Sequence, residues 1–326
     1  TGREKHLIET DGYRGTHVCR KDPKTGHWVL FNRYNGTKIR MHFDKDAPDY
    51  TKAFAPELVD IKITDFCPIG CAYCYQNSTK EGAHAETDFI SGLAYSLQDM
   101  GVFEVALGGG EPTMHANFIK ILKMFREHNI VPNFTTRSYK WLTDERIREA
   151  VKKYAGKFAV SVSRVHEMER AWHLADEFKM SSSEYDYDEH RHQCRMGFQY
   201  VMGSTNQDEF RDLIRAIPYN CEMTLLGYKE VGRGSTYKPY KYGGWLQIVK
   251  DFGEHKSIGI DTALANQDKV AILEIVDKRL VTFEEGKFSM YVDAVTKRAA
   301  PSSYCSEDKY VDVSSMSNLQ KLFEKF

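Results

Sequence analysis

This chain has no excess of positive charge, with 45 Lys and Arg against 46 Asp and Glu. Without a basic surplus there is little to release counterions from a phosphate backbone, so general nucleic-acid binding is disfavoured. It has no run of about eighteen consecutive apolar residues, which argues against a membrane-spanning helix. Residues 1–15 are polar and lack the apolar middle of a secretion signal. The expectation from these absences is a cytoplasmic protein with no membrane partner, although a chain opening on Thr1 leaves a removed leader open. An even cysteine set is missing too, since there are seven, which does not match a secreted disulfide framework. No solenoid repeat, low-complexity tract or second CxxC pair occurs.

What remains is a globular composition, 41% hydrophobic and 28% charged, with enough of its 326 residues to bury a core without disulfides. Residues 1–56 are polar and rich in turns. Short β-prone runs at 16–19, 28–31 and 38–43 are separated by Asp22-Pro23 with Gly26 and by Asn35-Gly36. Asn-Gly between such runs is a hairpin signal, so a small N-terminal β-meander is expected.

From Leu58 the pattern changes. Strand-like runs at 58–64, 103–107, 130–136, 158–162, 197–202 and 221–226 alternate with amphipathic stretches at 86–100, 115–128, 143–154, 166–179 and 207–217. Leu93, Leu97 and Met100 recur at i, i+4 and i+7, as do Phe118, Leu122 and Phe125, which is one face of a helix. Strand–helix alternation of this kind predicts a parallel sheet with helices outside it. The fold class expected is α/β, a partial (β/α)6 TIM-type barrel with the N-terminal meander and a C-terminal α+β extension. The corresponding division is 1–56, 57–230 and 231–326. Residues 258–261 and 289–293 look like further strands and 317–326 like a final helix, whereas 181–192 reads as a solvated loop.

Three cysteines crowd into eight residues, as Cys67, Cys71 and Cys74 in a C-x3-C-x2-C spacing. They follow the first barrel strand directly, and ligands in parallel α/β folds bind beyond the carboxyl ends of strands. Three converging thiolates make a soft-ligand site. One reading is an iron–sulfur cubane with one iron left open. Another is structural zinc with His84 as a fourth ligand. A third is three cysteines that simply pack as small apolar groups.

The segment CPIGCAYC, Cys67 to Cys74, resembles the signature of the radical S-adenosylmethionine (SAM) superfamily, including an aromatic residue, Tyr73, before the last cysteine. Gly108-Gly109-Gly110-Glu111-Pro112, after the second strand, resembles that family's GGE motif. The likeness covers about 58–226 and weakens beyond. It implies one [4Fe-4S] cluster on Cys67, Cys71 and Cys74, with SAM on the open iron. It also implies reductive cleavage of SAM to a 5′-deoxyadenosyl radical and a flavodoxin- or ferredoxin-type reductant. Gly109 and Gly110 would let the backbone approach a ligand closely, and Glu111 would meet the SAM amino group.

The resemblance extends to further positions. Ser161 or Ser163 would reach the SAM ribose, and alternation puts both on one strand face. Val201 and Met202 would pack on adenine. Tyr73, Gln76, Pro112 and Arg195 are further cofactor-side candidates, and 135–137 faces the same mouth. The glycine-rich basic loop 227–234 would either order over substrate or lie solvated on the surface. Residues 289–305 faintly resemble the SPASM or twitch extension of peptide-modifying members. Only Cys305 lies there, so no second cluster is expected. The substrate is left open between a peptide or protein side chain and a small molecule, nucleoside or cofactor precursor. A zinc-stabilised module without catalysis is the alternative from another class.

Overall fold

The computed structural model describes residues 7–9, 17–178, 195–219, 221–278, 281–316 and 318–326. The loop read at 181–192 and Cys194 lie outside them. The chain begins with an antiparallel sheet of β1 (Leu7–Glu9), β2 (His17–Lys21), β3 (Trp28–Asn32) and β4 (Lys38–Met41), in that order. The expected meander is present, with β1 as an added edge strand. Gly36, at φ +77°, supplies the left-handed residue of the Asn35-Gly36 turn.

This sheet packs through Val18, Val29 and Phe31 onto Phe103 and Val131, beside the starts of two barrel strands. Arg20 locks the contact. Fully buried, it donates to the carbonyls of Ala55, Pro56 and Gly101 and stacks 4.6 Å from the Phe103 ring.

The barrel runs β5 (Leu58–Thr64), α1 (Thr87–Asp99), β6 (Glu104–Gly109), α2 (Phe118–Glu127), β7 (Val131–Thr136), α3 (Glu145–Tyr154), β8 (Phe158–Ser161), α4 (Val165–Leu174), β9 (Met196–Val201), α5 (Gln207–Ala216) and β10 (Glu222–Leu226). These strands pair in parallel in sequence order. Alternation sets their faces. On β5, Val59, Ile61 and Ile63 are buried under the helices, whose Leu93, Leu97, Leu122 and Phe125 are buried in the same core.

The C-terminal third adds α6 (Trp245–Phe252), β11 (Ser257–Ile260), α7 (Thr262–Gln267), α8 (Lys269–Leu273), β12 (Ser289–Asp293), β13 (Arg298–Ala300), β14 (Val311–Asp312) and α9 (Leu319–Lys325). Both strands read there from the sequence join the barrel sheet. β11 pairs in parallel with β10, and β12 pairs in parallel with β5 at the other edge, followed by antiparallel β13 and β14. The barrel is thus open and extended at both rims. Among the described residues no helix is long and apolar enough to cross a membrane.

Candidate active site

Chain direction puts the carboxyl ends of all the parallel strands at one mouth. A cavity of about 520 Å³ opens there. Alternate residues of the strands line it, among them Asp60, Gly108, Thr135, Ser161, Gln199 and Thr224, as the inward faces of a partial barrel should. Cys67, Cys71 and Cys74 line the same cavity, each half-buried and in no disulfide.

The cysteine loop is built on backbone. The Cys67 amide donates to the Thr79 carbonyl at 2.7 Å, and the Cys74 amide to the Cys71 carbonyl at 3.2 Å. Burial pushes the Cys71 thiol up, its two cysteine neighbours push the same way, and Arg137 opposes them.

These residues suit a cluster better than a single ion. Among the described residues no three His, Cys, Asp or Glu side chains converge on one metal-sized point. A lone zinc needs its ligands at about 2.0–2.3 Å. A cubane spreads its cysteines over separate irons, so thiols facing a common cavity fit it. His84 is absent from that lining. Its Nδ1 lies 2.8 Å from the Thr64 hydroxyl and its ring packs on Phe66 and His115, so it does not complete a zinc site with the cysteines.

The glycine triplet divides into two roles. A Cβ on Gly109, at φ +108°, would sit 2.3 Å from the Thr64 carbonyl oxygen, and one on Gly110 would sit 2.2 Å from that of Phe66. The close approach these two allow is to the chain's own exit from β5. It is held by hydrogen bonds from the Gly110 amide to the Thr64 carbonyl and from the Glu111 amide to the Phe66 carbonyl. The glycine motif is in this way fastened to the start of the cysteine loop. At Gly108 a Cβ would meet nothing, and that residue lines the cavity. Gly108 leaves room for a bound group.

Glu111 is engaged more fully than the sequence suggests. Only 1% exposed, it accepts at Oε1 from the Thr113 amide and hydroxyl and from the Thr136 hydroxyl, and at Oε2 from the amides of Arg137 and Ser138. Five donors on one carboxylate tie the exit of β6 to the exit of β7. Arg137 continues the tie. It donates to the Tyr73 hydroxyl, to Ser163 Oγ at 3.0 Å and to Glu167 at 3.2 Å. Tyr73 and Ser163 are themselves 3.0 Å apart.

Tyr73, Gln76, Gly109, Gly110, Glu111, Ser161 and Val201 therefore stand with the three cysteines around one cavity. Ser163 is one hydrogen bond behind it. Three candidates are elsewhere. Arg195 precedes β9, at the opposite end of the strands. Its guanidinium donates to the carbonyls of Val151, Lys152, Ala155 and Gly156 and so closes the end of α3. Met202 is fully buried in the core. Pro112 is buried at the start of a short 3-10 turn.

The 227–234 loop neither covers the mouth freely nor lies in solvent. Gly232, at φ +57°, rests against the Tyr75 carbonyl, and Arg233 clasps the cysteine loop. Sequence reasoning missed Asp60, Lys229, Glu285, Tyr291 and Tyr304, all lining the cavity. One signal was present. Asp60 and Lys62 alternate as charges in an otherwise apolar strand, which marks an inward face. Lys62 is paired with Asp65 at 2.5 Å and Asp293 at 3.2 Å.

Residues 61–169 match the family model of the radical SAM superfamily. The chain carries a radical SAM domain. Among curated relatives it is 32% identical over 127 residues to a GTP 3′,8-cyclase of Klebsiella pneumoniae, covering 36% of this chain and 37% of that one. It is 31% identical over 96 residues to a PqqA peptide cyclase of Bradyrhizobium diazoefficiens, covering 29% and 25%. The chain thus spans between a quarter and little more than a third of the length of these curated relatives. Among solved structures, Streptococcus suis SuiB bound to S-adenosylmethionine superimposes with a TM-score of 0.65 at 12% identity, over 94% of this chain and 87% of that one. That likeness is one of fold, and it extends beyond the radical SAM domain to nearly the whole chain. Radical SAM domains use a [4Fe-4S] cluster and SAM.

Proposed function

We propose that this chain is a radical SAM enzyme whose single [4Fe-4S] cluster is held by Cys67, Cys71 and Cys74. The observation that carries the reading is that three thiols outside any disulfide and the open side of Gly108 face one cavity at the carboxyl ends of the strands. When bound and reduced, the cluster supplies one electron that splits SAM into methionine and a 5′-deoxyadenosyl radical able to take hydrogen from substrate.

The chain's own residues prepare that chemistry. Gly109 and Gly110 press the β6 exit against the β5 exit, which fixes the cysteine loop relative to the SAM side of the cavity. Glu111 acts mainly by holding the β6 and β7 loops, with the SAM amino end meeting this strand-end region. Arg137 anchors Tyr73 beside Ser163 and keeps a cation near Cys71. Ser161 and Val201 offer a hydroxyl and an apolar surface to the nucleoside. Shielding of this kind matters because a primary radical is quenched by stray C–H donors and water.

The substrate we favour is a peptide or protein side chain. Support comes from the C-terminal segment, whose Glu285, Ser289, Tyr291, Ser302, Ser303 and Tyr304 line the same cavity as the cysteines. A small molecule is the second reading, favoured by the cavity volume of about 520 Å³, within the range of small-ligand sites. We assign 57–230 as the core and 231–326 as the substrate-side cover. Half-buried thiols outside any disulfide suit a reducing, cytoplasmic setting and a flavodoxin- or ferredoxin-type donor.

The test is release of 5′-deoxyadenosine. Anaerobically reconstituted wild-type protein with SAM and dithionite should release it, and Cys71→Ala should fall to the no-enzyme background. Release by Cys71→Ala at the wild-type rate would refute the assignment.

A further inference from the structure

The cavity also holds acidic side chains that the radical SAM reading does not use. Asp60, Asp261 and Glu285 line it with the ammonium of Lys229, while the neighbouring Lys62 is already paired with Asp65 and Asp293. Two of the carboxylates are engaged. Asp261 caps α7 and accepts from the amides of Gly227 and Leu264, both at 2.8 Å, and Glu285 accepts from the Tyr304 hydroxyl at 2.5 Å. Lys229 is also placed. Its Nζ is 3.6 Å from Asp261 and sits 4.6 and 4.7 Å from the rings of Tyr75 and Tyr304.

Asp60 differs from both. It occupies the middle of β5, opposite Ala106 of β6 on one side and Tyr291 of β12 on the other. Its neighbours Val59 and Ile61 point into the core, so its side chain faces the cavity. No hydrogen bond or ion pair from the protein meets its carboxylate among the described residues. Water reaches it through the cavity, yet the surrounding protein is dense enough to push its pKa up to about 6; Lys229 and Lys38 counter this and Glu285 and Glu104 reinforce it. A carboxylate in such a position feels nearby cations but has no direct ion pair to offset its desolvation.

We propose that Asp60 is the anchor of a substrate subsite for a cationic group, a primary amine or guanidinium carried by the molecule that the radical attacks. The proposal rests on the radical SAM reading, since it takes the cysteine end of the same cavity as the reacting centre. Lys229 is engaged by two rings and Asp261 and makes no ion pair with Asp60 among the described residues, so the Asp60 carboxylate is left for a ligand cation. The net negative character of these side chains would draw a cation in and disfavour an anion.

The experiment uses cluster-loaded protein with SAM bound and two probes of matched shape, Nα-acetyl-lysine amide and Nα-acetyl-norleucine amide, titrated by calorimetry. Wild type should bind the lysine probe about tenfold or more tightly than the norleucine probe. Asp60→Asn should abolish the preference and Asp60→Glu should retain most of it. Equal affinity of the two probes, binding of neither, or an undiminished preference in Asp60→Asn would overturn the subsite. Iron content and SAM affinity of the wild type, measured on the same samples, test the underlying reading separately. Protein that takes up both but shows no charge preference overturns only the subsite, whereas protein that takes up neither overturns the radical SAM assignment.

Discussion

Arg233 donates from Nε to the carbonyl oxygen of Cys71 at 3.1 Å. The same guanidinium reaches the Ser78 carbonyl at 2.9 Å, while the Arg233 amide donates to the Cys74 carbonyl at 3.0 Å. A residue after the sixth barrel strand thereby braces both arms of a loop after the first. Charged donors to neutral acceptors contribute about 1.5–3 kcal/mol each when protected from water. Arg233→Ala should therefore lower unfolding stability by about 2 kcal/mol and speed iron loss to a chelator. Iron release at the wild-type rate would show that the brace does not hold the cysteine loop.

Gly108 and Gly109 are adjacent but should respond oppositely to one added methyl group. Gly109→Ala drives a Cβ to 2.3 Å from the Thr64 carbonyl at a positive φ, so a loss of about 2–3 kcal/mol in denaturant unfolding is expected. Gly108→Ala meets no atom of the protein and should change stability by less than about 0.5 kcal/mol. Its added carbon occupies cavity space, so calorimetry should show weaker SAM binding. A stable Gly109→Ala, or unchanged SAM affinity in Gly108→Ala, would contradict this division of roles.

Glu111 offers a test of position against contact. Glu111→Gln replaces one acceptor oxygen by a donor facing other donors, at a site 1% exposed. The expected cost is about 2–4 kcal/mol of stability, because a buried donor pair is worse than a missing bond. Arg137 depends on the same loop, so its contact with Tyr73 should loosen and SAM affinity should fall along with stability. A variant of wild-type stability that had lost only SAM binding would instead make Glu111 a direct contact alone.

Asp60 should leave a signature in stability against pH. Its pKa is pushed up from 3.8 to about 6 on folding, chiefly by the desolvating protein packed around the cavity, although the side chain itself is open to the cavity. A carboxyl group raised in the folded state contributes stability that is fully present below about 3.8 and is lost as pH rises through about 6. The difference in urea midpoint between wild type and Asp60→Asn should thus move in favour of wild type as pH falls from 7 to 4. A pH-independent difference would mean that Asp60 titrates normally. Only the difference is diagnostic, since every other carboxylate is common to both proteins.

The sequence carried the barrel well because its signals are local. The six core strands lie within two residues of where apolar runs place them, and the helical faces of 86–100 and 115–128 recur as α1 and α2. Helix α6 was missed although Trp245, Ile248, Val249 and Phe252 repeat at i, i+3, i+4 and i+7, because the short stretch follows Gly243-Gly244 and looks like loop. The pairing of β12 with β5 depends on strands more than 200 residues apart, which no local pattern encodes. The cysteines and glycines were legible as motifs. What joins them was not, since Glu111's five donors and Arg233's brace arise from the register of neighbouring loop ends. Arg195 shows the converse, because a cation read as a ligand contact is satisfied by the end of a helix.

The most direct test of the central claim is metal analysis with optical spectroscopy on anaerobically reconstituted protein. The account predicts about four irons and four sulfides per chain, a brown absorption bleached by dithionite, and a change in the spectrum of the reduced cluster when SAM is added. Colourless protein carrying stoichiometric zinc, or a reduced spectrum indifferent to SAM, would contradict it.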